Sequence, residues 1–223
     1  MDKNPAFQTY DATTDAAQVA PNLAALRAEL AKRGLDGFVI PHSDQHMGEY
    51  LPAFAERLAW LTAFTGSAGA AIVLTDKAAI FVDGRYTLQV RAQTDTSLFE
   101  PRDLVAEGVH GWIPGNVPKG AKLGYDPWLH TAHGVMHLRA ACEKAGATLI
   151  AVESNPIDAV WADQPAPPTT PAKPHALNLA GVQSEAKRLE LGEQLKKAGA
   201  EAAVITLGDS VSWLFNILSL IHI

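Results

Sequence analysis

The chain has 223 residues, 48% hydrophobic and 19% charged, with a mean hydropathy of +0.01 and a formal net charge of −6. This is the composition of an ordinary soluble globular protein of one to two domains. The charge is spread without an acidic or basic block and no apolar run is long enough to cross a bilayer, which argues against nucleic-acid and membrane partners. The lone Cys142 excludes an internal disulfide, and the N-terminus has no basic segment followed by an apolar stretch; a reducing, cytoplasmic setting is expected.

In chain order, residues 1–15 form an N-terminal extension. Val19, Leu23, Leu26 and Leu30 then recur at helical spacing from about 16 to 33, and Gly34 stands where a helix C-cap belongs. The apolar GFVIP that follows is expected as a buried strand, and a helix leading into an all-apolar strand points to parallel pairing. Further strands are predicted at Ala70 to Thr75, Ala78 to Asp83, Ala121 to Gly124 and Thr148 to Glu153, with helices near Tyr86 to Gln93 and Thr131 to Lys144. Because Thr75-Asp76-Lys77 closes a hairpin between two of those strands, the expected fold class is α/β, a three-layer mixed sheet flanked by helices.

Pro165, Pro167, Pro168, Pro171 and Pro174 mark residues 164–175 as a semi-rigid linker, so the first domain spans 16–163. Beyond it the chain repeats itself: LAKRGLDGFVIPHSD from Leu30 and LKKAGAEAAVITLGD from Leu195 share six of fifteen residues. Residues 176–223 are therefore expected to be a truncated second copy, with a helix over Gly181 to Lys197 and a strand over Ala202 to Thr206. The apolar end, Trp213 to Ile223, is expected to be an interior segment cut open.

Candidate chemistry is sparse. His42 and His46 lack the Glu of a zinc helix and leave a metal site or polar loop side chains as readings, whereas offsets of three and four would put His130, His133 and His137 on one helix face. That triplet is open to metal or to a plain, partly exposed face. In FTGSAG, Ser67 lacks the context of a nucleophile elbow and the glycines match no phosphate loop. Arg85, in DGRY at a strand's carboxyl end, can fork onto a ligand carboxylate or pair with Asp83 or a neighbour. Neither catalytic residues nor metal ligands form a complete set.

The motifs SDQHMGEY, FTGSAG with DGRY, KLGYDPWLH, NPIDAVWADQPAPP and DSVSWLFNI, in that order over about Leu23 to Ile217, resemble the N-terminal region of the cytosolic three-domain Xaa-Pro aminopeptidases. The resemblance implies two successive creatinase-like domains followed by a catalytic domain with two divalent metal ions, usually manganese, that removes the residue preceding proline. It implies no metal or cofactor bound by this fragment, a substrate-binding role for Arg85, peptides with proline at the second position as substrates, and a homodimer. It also implies Arg-Gly and Asp beyond WLFN, where this chain has Leu218 to Ile223. The chain is thus expected to be a non-catalytic piece, inactive alone. The alternative is a stand-alone peptide- or protein-binding module, and a creatinase-type amidinohydrolase fits less well because those enzymes carry a single such domain.

Overall fold

The computed structural model describes residues 14–218. The expectations for residues 1–13 and for Ser219 to Ile223 lie outside the described residues. Two compact units are distinguished, one of residues 14–42 and 57–163, the other of residues 43–56 and 164–218.

The first unit begins with a single 3-10 turn, Ala16–Gln18, capped by the Asp15 carboxylate, which accepts from the Ala17 amide at 2.9 Å. It runs into α1 (Val19–Lys32), whose Val19, Leu23, Leu26 and Leu30 are the buried stripe. Gly34, at φ +66°, ends it, since that left-handed turn strains any residue with a Cβ. Then follow β1 (Gly37–Pro41), α2 (Arg57–Thr62), β2 (Gly69–Leu74), β3 (Ala78–Val82), α3 (Gln89–Gln93), β4 (Glu100–Asp103), α4 (Gly108–Asn116), β5 (Lys122–Tyr125), α5 (Ala132–Ala145) and β6 (Thr148–Ala151).

The six strands lie in the order β4-β3-β2-β1-β5-β6. Strand β1 pairs antiparallel with β2 and parallel with β5, and the β2–β3 hairpin closes through the Leu74 amide on the Lys77 carbonyl at 2.8 Å. The sheet is mixed, as expected. Alternation along the strands splits the core: Phe38, Ile40, Val73 and Ile80 face α1, α2 and α3, while Val39, Ile72, Leu74 and Phe81 face α4 and α5. Both faces are covered, giving the three α/β/α layers.

In this first unit, α2, β4 and α4 escaped the sequence reading. Strand β4 (EPRD) is polar and carries Pro101, tolerable because it is an edge strand pairing only with β3. Helix α4 contains Gly111, Pro114 and Gly115, which hide its periodicity, yet Val109, Trp112 and Ile113 bury one face of it.

The second unit contains β7 (Lys173–Pro174), α6 (Leu177–Ala180), α7 (Ser184–Lys197), α8 (Gly208–Phe215) and β8 (Ile217–Leu218); β7 and β8 form a two-residue antiparallel pair. Residues 164–172 have no regular structure. The strand expected over Ala202 to Thr206 is corrected: the segment is irregular, and Val204 is 91% exposed. A strand needs a partner to satisfy its backbone and a surface to bury its side chains, and among the described residues this segment has no ladder.

Candidate functional site

Because β2 and β3 run antiparallel with Gly69 opposite Val82, the segments 64–69 and 83–86 reach the same end of the sheet. There the Arg85 guanidinium grips Asp83, with Nε 3.0 Å and Nη2 2.7 Å from Oδ2, while the Arg85 amide donates to Oδ1 at 2.9 Å. These bonds from Arg85 hold the Asp83 carboxyl below the usual carboxylate range. The guanidinium also lies 5.1 Å from the centre of the Tyr86 ring, and the Arg85 side chain is 65% exposed. The ion pair with Asp83 is therefore present, on a side chain that still faces solvent.

The neighbouring residues form a brace. The Tyr86 hydroxyl and Ser67 Oγ are 2.8 Å apart, and Phe64 meets the Tyr86 ring edge-on at 5.5 Å. Gly66 cannot be replaced without movement, since a Cβ there would come within 2.3 Å of the Phe64 ring and 2.9 Å of Tyr86. Helix α3 completes the brace, as Gln93 Oε1 accepts from the Thr65 amide at 3.0 Å and from Gln89 Nε2 at 3.1 Å. FTGSAG thus serves as the support of DGRY. The participation of Gln89 and Gln93 was missed, because their partner Thr65 is distant in sequence and is met only in the fold.

The other motifs lock the fold. Asp126 of GYDPW accepts from the Trp128 amide at 3.0 Å and from Asn155 Nδ2 at 2.9 Å, and Asn155 Oδ1 takes the Ile157 amide at 3.0 Å. Asp158 receives the buried Arg57 through two bonds of 2.7 and 2.8 Å, and Trp161 stacks on Trp60 at 5.6 Å. In the second unit, Asp44 of SDQHMGEY caps its own loop by accepting from the His46 and Gly48 amides at 2.9 and 3.0 Å.

The histidines separate. The His42 amide donates to the Gly69 carbonyl, while the His46 ring lies 3.3 Å from the Thr206 carbonyl. The expectation of one helix face for His130, His133 and His137 is corrected, because Thr131 caps α5 by accepting from the Gly134 amide, so His130 precedes the helix. His130 instead stacks on Tyr125 at 5.7 Å, and burial pushes its imidazole pKa down. Among the described residues, no group of three or more His, Cys, Asp or Glu could hold a metal ion. None of their helices is long and apolar enough to cross a membrane.

An α/β/α unit with this strand order defines the class, and the sequence profile of the Creatinase/Prolidase N-terminal domain matches residues 22–160. The chain belongs to the creatinase/prolidase N-terminal domain family. A second Creatinase/Prolidase N-terminal domain profile matches residues 163–217. More particularly, the chain is 32% identical over 215 residues to the Aspergillus flavus protein named "Probable Xaa-Pro aminopeptidase P", covering 93% of this chain and 32% of that one. It is 34% identical over 188 residues to Arabidopsis thaliana aminopeptidase P2, covering 82% of this chain and 26% of that protein. The solved X-prolyl aminopeptidase of Caenorhabditis elegans, described as a cytosolic enzyme with a di-nuclear active site, matches with a TM-score of 0.81 and 28% identity over 89% of this chain and 34% of that one. The chain spans between about a quarter and a third of the length of these curated relatives.

Proposed function

We propose that this chain is the N-terminal, non-catalytic portion of a cytoplasmic, proline-specific metallo-aminopeptidase, in which it recognises the peptide through Arg85 and contributes contacts to a homodimer. On this reading residues 16–163 are the first creatinase-like domain and 176–223 the start of a second, joined by the linker 164–175. The observation that carries it is the likeness to proteins named Xaa-Pro aminopeptidase P along 93% of this chain but only 32% of a relative's length, which leaves most of such a protein for the chemistry. The di-nuclear site named for the Caenorhabditis elegans enzyme would then belong to that remainder, where two divalent ions, manganese on the family resemblance, would supply Lewis-acid chemistry for peptide hydrolysis.

For recognition, Arg85 has the right chemistry. A guanidinium presents planar N–H donors suited to a peptide carboxylate or carbonyl, and the Asp83 grip fixes its plane at an exposed position. The test joins this chain in frame to the metal-binding portion of a homologous enzyme. Arg85→Ala is expected to lower kcat/KM for Xaa-Pro peptides roughly 10- to 100-fold, the worth of one hydrogen bond to a charged group. An unchanged kcat/KM would remove Arg85 from recognition.

A further inference from the structure

The geometry points to a site outside the DGRY brace: we propose that His133 and His137 form a two-imidazole chelate for a borderline transition-metal ion, copper(II) or nickel(II), on the exposed face of α5. This inference is independent of the aminopeptidase reading. One turn apart on a 14-residue helix, the two rings bring their Nε2 atoms to 2.9 Å. The rings meet at 82° with centroids 4.4 Å apart, so their lone pairs converge from different directions. The helix beneath them is fixed at both ends, by the Thr131 cap and by Gly146 in the left-handed conformation.

The separation selects the metal. With metal–nitrogen bonds of about 2.0–2.1 Å, two nitrogens 2.9 Å apart subtend an angle of about 90° at the ion. A right angle is the cis angle of square-planar and tetragonal complexes, the preference of copper(II) and nickel(II), and is narrower than tetrahedral zinc takes. Imidazole suits these ions, whereas manganese and magnesium favour carboxylate and carbonyl oxygens. The pair sits beside a cleft of about 380 Å³ lined by Val39, Pro41, His110, His130, His137 and Leu138, among others, with the His110 ring 5.8 Å from that of His137.

A hydrogen bond between two neutral imidazoles would give the same 2.9 Å contact, so the test must separate the two. Tag-free 223-residue chain is titrated with CuCl2 and followed by electron paramagnetic resonance, and with NiCl2 by calorimetry. The expected result is one saturable site whose copper spectrum carries the hyperfine pattern of two nitrogens. His133→Ala and His137→Ala should each weaken it more than about tenfold, since even groups that only support a metal ligand are worth roughly 10- to 100-fold. His110→Ala should keep it, and MnCl2 should not compete. Circular dichroism of the variants confirms the fold. Absence of saturable binding, or binding that survives both substitutions, would reduce the contact to a hydrogen bond and overturn the site.

Discussion

The two units are held together by different physics. In the first, apolar side chains pack on both faces of a six-stranded sheet, and Phe81, Ile72, Ile80 and Trp112 are almost wholly removed from water. In the second, the buried apolar residues among those described are Ala55 and Leu214, while Leu179, Leu189, Val204 and Trp213 stand exposed. Its centre is a cation: buried Lys187 donates to the Trp213 carbonyl at 2.8 Å and to Asn216 Oδ1 at 2.7 Å, with its ammonium 4.4 Å from the centre of the Trp213 ring. Ser184 Oγ adds a bond to the Leu214 carbonyl at 2.8 Å. The contrast teaches where stability resides, because burial of apolar area supplies most of a domain's folding free energy, whereas a buried hydrogen bond contributes about 1 kcal/mol net.

The largest effect that can break this comparison is expected from Phe81→Ala, which empties a fully buried site against the Trp112 ring, 6.3 Å away centre to centre. It should cost ~3–5 kcal/mol, seen as a lowered denaturation midpoint of the first unit. Next, Lys187→Met takes one donor from the Trp213 carbonyl, which keeps the Asn216 amide at 3.4 Å, and the Lys187 donor from Asn216 Oδ1; it should cost ~1–3 kcal/mol, read as faster amide exchange in α7 and α8 with the first unit unchanged. If Lys187→Met instead lowered protection throughout the first unit, the division of labour would be wrong. The smallest effect concerns Asp83. Its folded pKa is depressed, so the pairing with Arg85 is complete at neutral pH and is lost as pH falls through that lowered value. Carbon-detected NMR should find the Asp83 midpoint below the usual carboxylate range, and Arg85→Ala should return it there.

Legibility in the sequence followed the same division. Strands and helices with strong apolar periodicity, such as α1, β1 and the β2–β3 hairpin, were found because burial on a defined face wrote their pattern. Helix α4 was hidden by Pro114 and its glycines, and β4 by its polarity, since neither depends on periodicity so much as on what packs beside it. Ala202 to Thr206 misled for the opposite reason: it copies the pattern of β1 without a neighbouring ladder. At the candidate site, Arg85 and Asp83 were visible as adjacent charges. Their brace of Phe64, Ser67 and Gln93 was not, because it exists only once the ends of β2 and β3 meet. The likeness between the segments at Leu30 and Leu195 was visible from six shared residues in fifteen.

The proposal that this chain recognises peptides and leaves their cleavage to another portion of a larger protein is open to one direct assay. Tag-free 223-residue chain is incubated with an Xaa-Pro peptide and excess manganese, and release of the N-terminal residue is followed by chromatography. No release above the protein-free control is expected. Metal-dependent turnover, abolished by a chelator and restored by manganese, would contradict it.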